Sequence, residues 1–244
     1  MSIAGDARVL AALLRGQPRD GDHAARLEAF YAPQAAAYDG FRERLLHGRR
    51  ELMLELAARV APGGTLVELG GGTGRNLGFL GAQLADFDAV TLVDLCRPLL
   101  AQARQRTAHW PNVRIVEADA CDWQPGAAVD AVVCAYALSM IPDWYRAIDN
   151  AIAMLAPGGL LAVADFYVSR ARPAPGHVRH STFARHFWPL WFGHDGVHPS
   201  PDHLPCLESK LDTVLLREAR APLPWLPGLR APYYVWIGRR RSND

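Results

Sequence analysis

Residues 65–74 read Thr-Leu-Val-Glu-Leu-Gly-Gly-Gly-Thr-Gly, an apolar run around Glu68 that breaks at once into Gly70, Gly71, Gly72 and Gly74. Glycines directly after a strand let the backbone turn sharply and bring its N–H groups close to a ligand. The spacing restricts which ligand. A dinucleotide fingerprint, G-x-G-x-x-G, needs a third glycine where this chain has Arg75. What remains is acidic-x-G-x-G-x-G at the end of a strand.

Upstream of this loop, Ala61-Pro62-Gly63-Gly64 closes a stretch of helical character. Residues 6–15 read as a short helix and 18–22 as a break. His23 to Val60 reads as helical material interrupted near Pro33 and Asp39, with Leu45, Leu46, Leu52, Met53 and Leu56 at helical spacing. Downstream, apolar strand runs alternate with helical patterns: strand 65–69, helix 74–85, strand 89–94, helix 97–109, strands 112–117 and 128–134, helix 143–155, strand 159–166. Such alternation predicts a parallel sheet with helices on both faces. Residues 167–207 lose the rhythm but carry Phe183, Phe187, Trp188, Trp191 and Phe192, which predicts an ordered lid or substrate-binding insertion. Residues 212–219 and 233–239 read as two final strands around a proline-punctuated turn, 222–232.

The 244 residues, half of them hydrophobic, suit one α/β domain, read here as an N-terminal helical cap (1–60) on a core of 61–244. A formal net charge of +1 gives no global field for nucleic acid, and none is expected as a partner. Cys96, Cys121, Cys134 and Cys206 form no C-x-x-C pair, which suits a reducing, cytoplasmic compartment. No apolar run approaches the roughly 18 residues of a membrane span, and the first residues lack a secretory layout, so a soluble chain is expected.

The loop resembles the first motif of class I S-adenosylmethionine (SAM) methyltransferases. That resemblance implies a Rossmann-like three-layer sandwich, its seven-stranded, mostly parallel sheet ending in an antiparallel edge hairpin. Ligands of such sheets bind beyond the carboxyl ends of the strands. Gly70 to Gly74 would then line the methionine part of the cofactor, with Glu68 organising its ammonium. Asp94, followed by Leu95, would take the ribose hydroxyls. Asp119 and the Ala120 N–H would meet adenine, and Ala135 to Leu138, including Tyr136, would face the sulfonium.

The flanking segments carry a second resemblance. Phe30-Tyr31-Ala-Pro-Gln34, Tyr38-Asp39-Gly-Phe-Arg42, His47-Gly48-Arg49, Ala135-Tyr136-Ala-Leu-Ser139-Met140-Ile-Pro142-Asp143-Trp144, His194-Asp195-Gly196-Val-His198-Pro-Ser-Pro-Asp202-His203 and Pro232-Tyr233-Tyr234 look like the bacterial diacylglyceryl homoserine N-methyltransferases. That family makes a betaine lipid by three methyl transfers from SAM, which implies a lipid headgroup as partner and a peripheral position on the inner face of the membrane. Trp225, Leu226, Leu229 and the aromatic insertion are candidates for the interfacial patch. The Tyr38-Asp39 and Gly48-Arg49 region also looks distantly like quinone C-methyltransferases. Another small-molecule methyltransferase, or a SAM-binding regulator without catalysis, stays open.

An amine becoming a quaternary ammonium asks for aromatic faces and oxygens. Tyr31, Tyr38, Tyr136, Trp188 and Trp191 are the candidates, Tyr38 and Tyr136 the preferred pair. A substrate carboxylate asks for a planar cation, from Arg42, Arg44, Arg49, Arg179 or Arg185. His194, His198 and His203 are candidate bases, although the amine can also shed its proton to water. No metal is expected, because these three histidines lie on a proline-rich loop without a thiolate or a helical His pair.

Overall fold

A computed structural model describes Gly16 and residues 20–34, 38–223 and 226–241. The expected helix over 6–15, the break after Pro18 and Trp225 of the interfacial patch lie outside these residues. Among the described residues three α-helices precede the first strand: α1 (His23–Tyr31), α2 (Tyr38–Arg42) and α3 (Arg49–Ala57). Asp22 caps α1 by accepting from the Ala25 N–H at 2.8 Å. The apolar run from Leu45 is not one helix, because Gly48 breaks it at φ 81°.

The sheet contains β1 (Thr65–Leu69), β2 (Ala89–Asp94), β3 (Val113–Glu117), β4 (Val129–Ala135), β5 (Leu155–Phe166), β6 (Asp212–Leu223) and β7 (Leu226–Arg239), in the order β3-β2-β1-β4-β5-β7-β6. The first five pair in parallel, while β7 runs antiparallel to both its neighbours. The antiparallel strand is thus one place in from the edge. Strands β1 and β4 are buried along nearly their whole length and read as continuous apolar runs, as expected where helices cover both faces.

One face of the sheet packs on Leu52, Met53 and Leu56 of α3 and on Trp188 and Phe192 of α6 (Thr182–Gly193). The other packs on Ala147, Ile148, Ala151 and Met154 of α5 (Trp144–Met154) and on Leu204 and Leu207 of α7 (His203–Lys210). Helix α1 forms its own small cluster, in which Leu27, Phe30 and Tyr31 meet Cys96 and Leu99 at the start of α4 (Arg97–Thr107). The chain steps from β1 outward to β3, then returns to β4. That reversal opens a cleft beyond the ends of β1 and β4.

Two sequence readings need correction, and a third, the ordered insertion, gains detail. The helix expected over 74–85 is replaced by 3₁₀ turns at Leu77–Phe79 and Gly81–Asp86, because Gly74 and Gly81 hold left-handed backbone at φ 70° and 56°. The insertion at 167–207 contains α6 and the start of α7, with Ser181 capping α6 through the Ala184 N–H at 3.2 Å. The supposed turn over 222–232 is mostly strand. Beyond the Phe166↔Tyr233 pair, β6 and β7 continue as a two-stranded ribbon, where the outer side of β6 tolerates Pro222 and Pro232 O still accepts from the Tyr167 N–H at 3.4 Å.

Candidate cofactor and acceptor site

At the end of β1 the chain turns at Gly70, φ 67°, where a Cβ would come within 2.6 Å of the Ala137 Cβ. Only glycine permits this contact, so the loops after β1 and β4 form one floor. Gly70, Gly72, Asp94, Leu95, Asp119, Ala120 and Tyr136 line a single cleft together with Tyr31, Cys96 and Met140. Glu68 lies directly behind it, fully buried, whereas Gly71, Gly74 and Ala135 support the walls without lining them.

Glu68 accepts from Asn76 Nδ2 at 2.7 Å, and Asn76 Oδ1 accepts from Arg49 Nη1 at 3.1 Å. The second carboxylate oxygen of Glu68 is buried without a partner. Desolvation by burial raises its pKa to about 7, with the Asn76 hydrogen bond and the Arg49 charge pulling the other way. A buried acceptor held this way calls for a cation. Asp94 accepts from the Gly72 N–H at 2.8 Å and the Cys96 N–H at 2.7 Å, which fixes the carboxylate at the cleft wall. Asp119 is held by the Cys121 N–H at 2.8 Å. Each has acceptor capacity left. An ammonium on Glu68, a ribose on Asp94 and an adenine amine on Asp119 therefore fit the donor set of SAM.

Tyr136 follows β4 at φ 57°, the one non-glycine with positive φ among the described residues. Its backbone N–H bonds Ala164 O at 2.7 Å, its hydroxyl donates to His47 O at 2.7 Å, and its ring meets Phe166 edge-on at 4.7 Å. Anchors at both ends hold a residue in a backbone state that costs roughly 1–3 kcal/mol. Burial pushes its phenol well above the usual tyrosine range. Tyr31 lies in the same cleft, its hydroxyl 3.1 Å from Met140 Sδ and the Arg42 guanidinium 5.9 Å from its ring centre. Tyr38 begins α2, but its side chain lies outside the described residues.

Several candidates are placed elsewhere. His198 donates its backbone N–H to Ser139 O at 2.6 Å, and its side chain is exposed and does not line this cleft. His203 is buried edge-on against Trp144, with burial lowering its pKa to about 4, and His194 is exposed. Among the described residues no three His, Cys, Asp or Glu side chains stand together as a metal site. Arg49 is committed to Asn76 and Leu46 O, Trp188 packs into the core and Trp191 is at the surface.

The sequence reading missed Asn76, Asp39 and Asp165. Asp39 of α2 accepts from Thr73 Oγ1 at 2.6 Å and from Arg106, clasping the glycine loop from outside. Asp165 ends β5 fully buried and accepts from the Ser139 N–H at 3.0 Å and the Phe166 N–H at 2.7 Å, pinning the loop that carries Tyr136. Desolvation raises its pKa to about 7. Its position at the carboxyl end of a strand was the available signal.

Residues 66–159 match the family model described as a methyltransferase domain. The trans-aconitate 2-methyltransferase of Escherichia coli O1:K1 / APEC is 33% identical over 112 residues, which are 45% of this chain and 43% of that protein, so the chain spans under half the length of this relative. The N-methyltransferase NodS of Bradyrhizobium japonicum WM9, solved with S-adenosyl-L-homocysteine (SAH), shares the fold at TM-score 0.64 and 20% identity, covering 90% of this chain and 99% of that one. The 1,6-didemethyltoxoflavin-N1-methyltransferase of Burkholderia thailandensis aligns at TM-score 0.60 and 21% identity, over 92% of each chain. Residues 66–159 thus match a methyltransferase domain, and the chain shares the fold of these methyltransferases, of which NodS was solved with SAH.

Proposed function

We propose that the chain is a SAM-dependent N-methyltransferase that converts the amine of diacylglyceryl homoserine to the trimethylated betaine lipid, working from the cytoplasm at the inner face of the membrane. The observation that carries this reading is the aromatic wall after β4: Tyr136, backed by Phe166, shares the cleft with Tyr31 and the buried Arg42 guanidinium stands beside Tyr31. Aromatic faces stabilise an amine that grows bulkier and finally carries a permanent positive charge. Arg42 supplies a planar cation for the carboxylate of the same headgroup. The motif resemblance of the flanking segments names the headgroup.

SAM supplies a methyl group activated on a sulfonium. The glycine loop, Glu68, Asp94 and Asp119 fix that donor, while the wall at Tyr136 holds the amine in line and excludes water. Tyr136 donates its proton to His47 O, so its phenol oxygen keeps lone pairs for the amine. Tyr38, the other preferred residue, starts the helix whose Asp39 holds the loop at Thr73. Asp165 is fully buried and does not line the cleft, so it acts as a positioning residue and the amine sheds its proton to water.

Incubation with SAM and diacylglyceryl homoserine, read by lipid mass, is expected to show a gain of three methyl groups. A second reading, esterification of a small carboxylic acid, is favoured by the 33% identity to trans-aconitate 2-methyltransferase. Alkali separates the two, because a methyl ester is hydrolysed and a quaternary ammonium is not. Alkali-labile products from small acids, with the lipid left unmodified, would overturn the N-methylation reading.

A further inference from the structure

We infer that the outer face of α6 docks the chain on an anionic lipid surface; this rests on the lipid reading of the acceptor. Phe183, Leu190 and Trp191 are 65%, 81% and 46% exposed on one helix, and Val178 just before it is also exposed. Few large apolar side chains elsewhere among the described residues stand so far out of the core. The rings of Phe183 and Phe187 stack at 5.0 Å and those of Phe187 and Trp191 at 5.8 Å, so the face is a continuous apolar ridge along the helix. An exposed ridge of this kind marks an interaction surface.

Two observations favour a membrane over a second protein. From Val178 to His194 the sequence holds Arg179 and Arg185 and no Asp or Glu, a charge pattern complementary to anionic headgroups and indifferent to neutral ones. The ridge is also joined to the proposed reaction site by unbroken ring contacts. Phe187 meets Trp188 at 4.9 Å, Trp188 stacks on Phe192 at 5.5 Å, Phe192 on Phe166 at 4.4 Å, and Phe166 meets Tyr136 at 4.7 Å. The ridge therefore stands on the same packed aromatic layer that backs Tyr136, which puts the proposed membrane face and the acceptor wall on one side of the sheet. No helix among the described residues is long and apolar enough to cross a membrane, so this face would lie in the interface.

The test uses the full chain, phosphatidylcholine vesicles with and without phosphatidylglycerol, and the double variant Phe183→Ser/Leu190→Ser. Wild type is expected to co-sediment with the phosphatidylglycerol vesicles, less at high salt and less with phosphatidylcholine alone. The variant is expected to lose at least about tenfold in partitioning, since two large apolar side chains no longer enter the interface. Its SAH affinity, and its rate on glyceryl homoserine without acyl chains, should remain those of wild type. Wild type that fails to sediment, a variant that partitions as wild type does, or a variant whose only change is loss of a dimer in sedimentation velocity would each overturn the docking surface. Partitioning that behaves as expected while neither lipid nor soluble homoserine acceptor is methylated would overturn the acceptor assignment and leave the surface standing.

Discussion

Replacing Glu68 by Gln should move stability and cofactor affinity in opposite directions. Burial holds this carboxyl at about pKa 7 against an ordinary 4.5. Its ionised form is therefore about 3 kcal/mol worse off inside the folded chain than in water. The folded state binds the extra proton between those two values, so unfolding free energy falls as pH rises through that window and is level above it. Gln keeps the shape and an oxygen for Asn76 Nδ2, but carries no charge. The ligand-free variant should be more stable than wild type by about 2–3 kcal/mol at pH 8 and nearly equal to it at pH 5. In a chain of this size that raises Tm by about 5 °C or more.

Cofactor binding should respond the other way. An ammonium that has lost its charged partner forfeits about 2 kcal/mol, or roughly thirtyfold in Kd. Because the ammonium needs the ionised carboxylate, wild-type affinity should weaken about tenfold from pH 8 to pH 6. The variant should show no such slope. Calorimetric titration with SAH at several pH values, in two buffers of different ionisation enthalpy, counts the released proton, and calorimetric scans of the ligand-free proteins give the stabilities. A variant less stable than wild type at pH 8, or a wild-type affinity indifferent to pH, would refute the role given to Glu68.

Asn76→Ala removes the hydrogen bond that lowers the Glu68 pKa, so the pH midpoint of cofactor binding should move upward; an unchanged midpoint in the same titrations would count against the Arg49–Asn76–Glu68 chain. Gly70→Ala puts a Cβ 2.6 Å from the Ala137 Cβ at a left-handed position, and should abolish SAH binding in calorimetry while lowering Tm. Tyr136→Phe removes the bond to His47 O, which should destabilise the fold by about 1–2 kcal/mol in urea titrations and lower the methylation rate; wild-type values of both would remove Tyr136 from the acceptor wall.

The parallel core was legible because β1, β2, β4 and β5 read as apolar runs, two of them with the chemically marked residues Glu68 and Asp94 at or next to their ends. That Gly70, Gly72, Asp94 and Asp119 share one cleft was legible for a related reason: they sit at strand ends, where sequence spacing follows spatial register. The acceptor side was not, because it is assembled across the sequence. Tyr136 reaches back to His47, Asp39 holds Thr73, and Asn76 bridges Glu68 to Arg49. Helix α6 escaped notice because its aromatic residues fall on both its buried and its exposed side, which erases the amphipathic period.

The inboard place of β7 has a bearing on how the chain reaches its native state. Strand β6 leaves the ribosome first, while the edge of β5 that β7 will cover is still bare. A direct β5–β6 pairing would be parallel and long-range, and would trap the sheet with its last two strands transposed. The β6–β7 hairpin is local and pairs over most of both strands, and since hairpins form in roughly 1–10 μs, the expected order is hairpin first and docking on β5 second. Weakening the ribbon near Pro222 and Pro232 would thus be felt as slower and less faithful maturation before it was felt in the finished molecule.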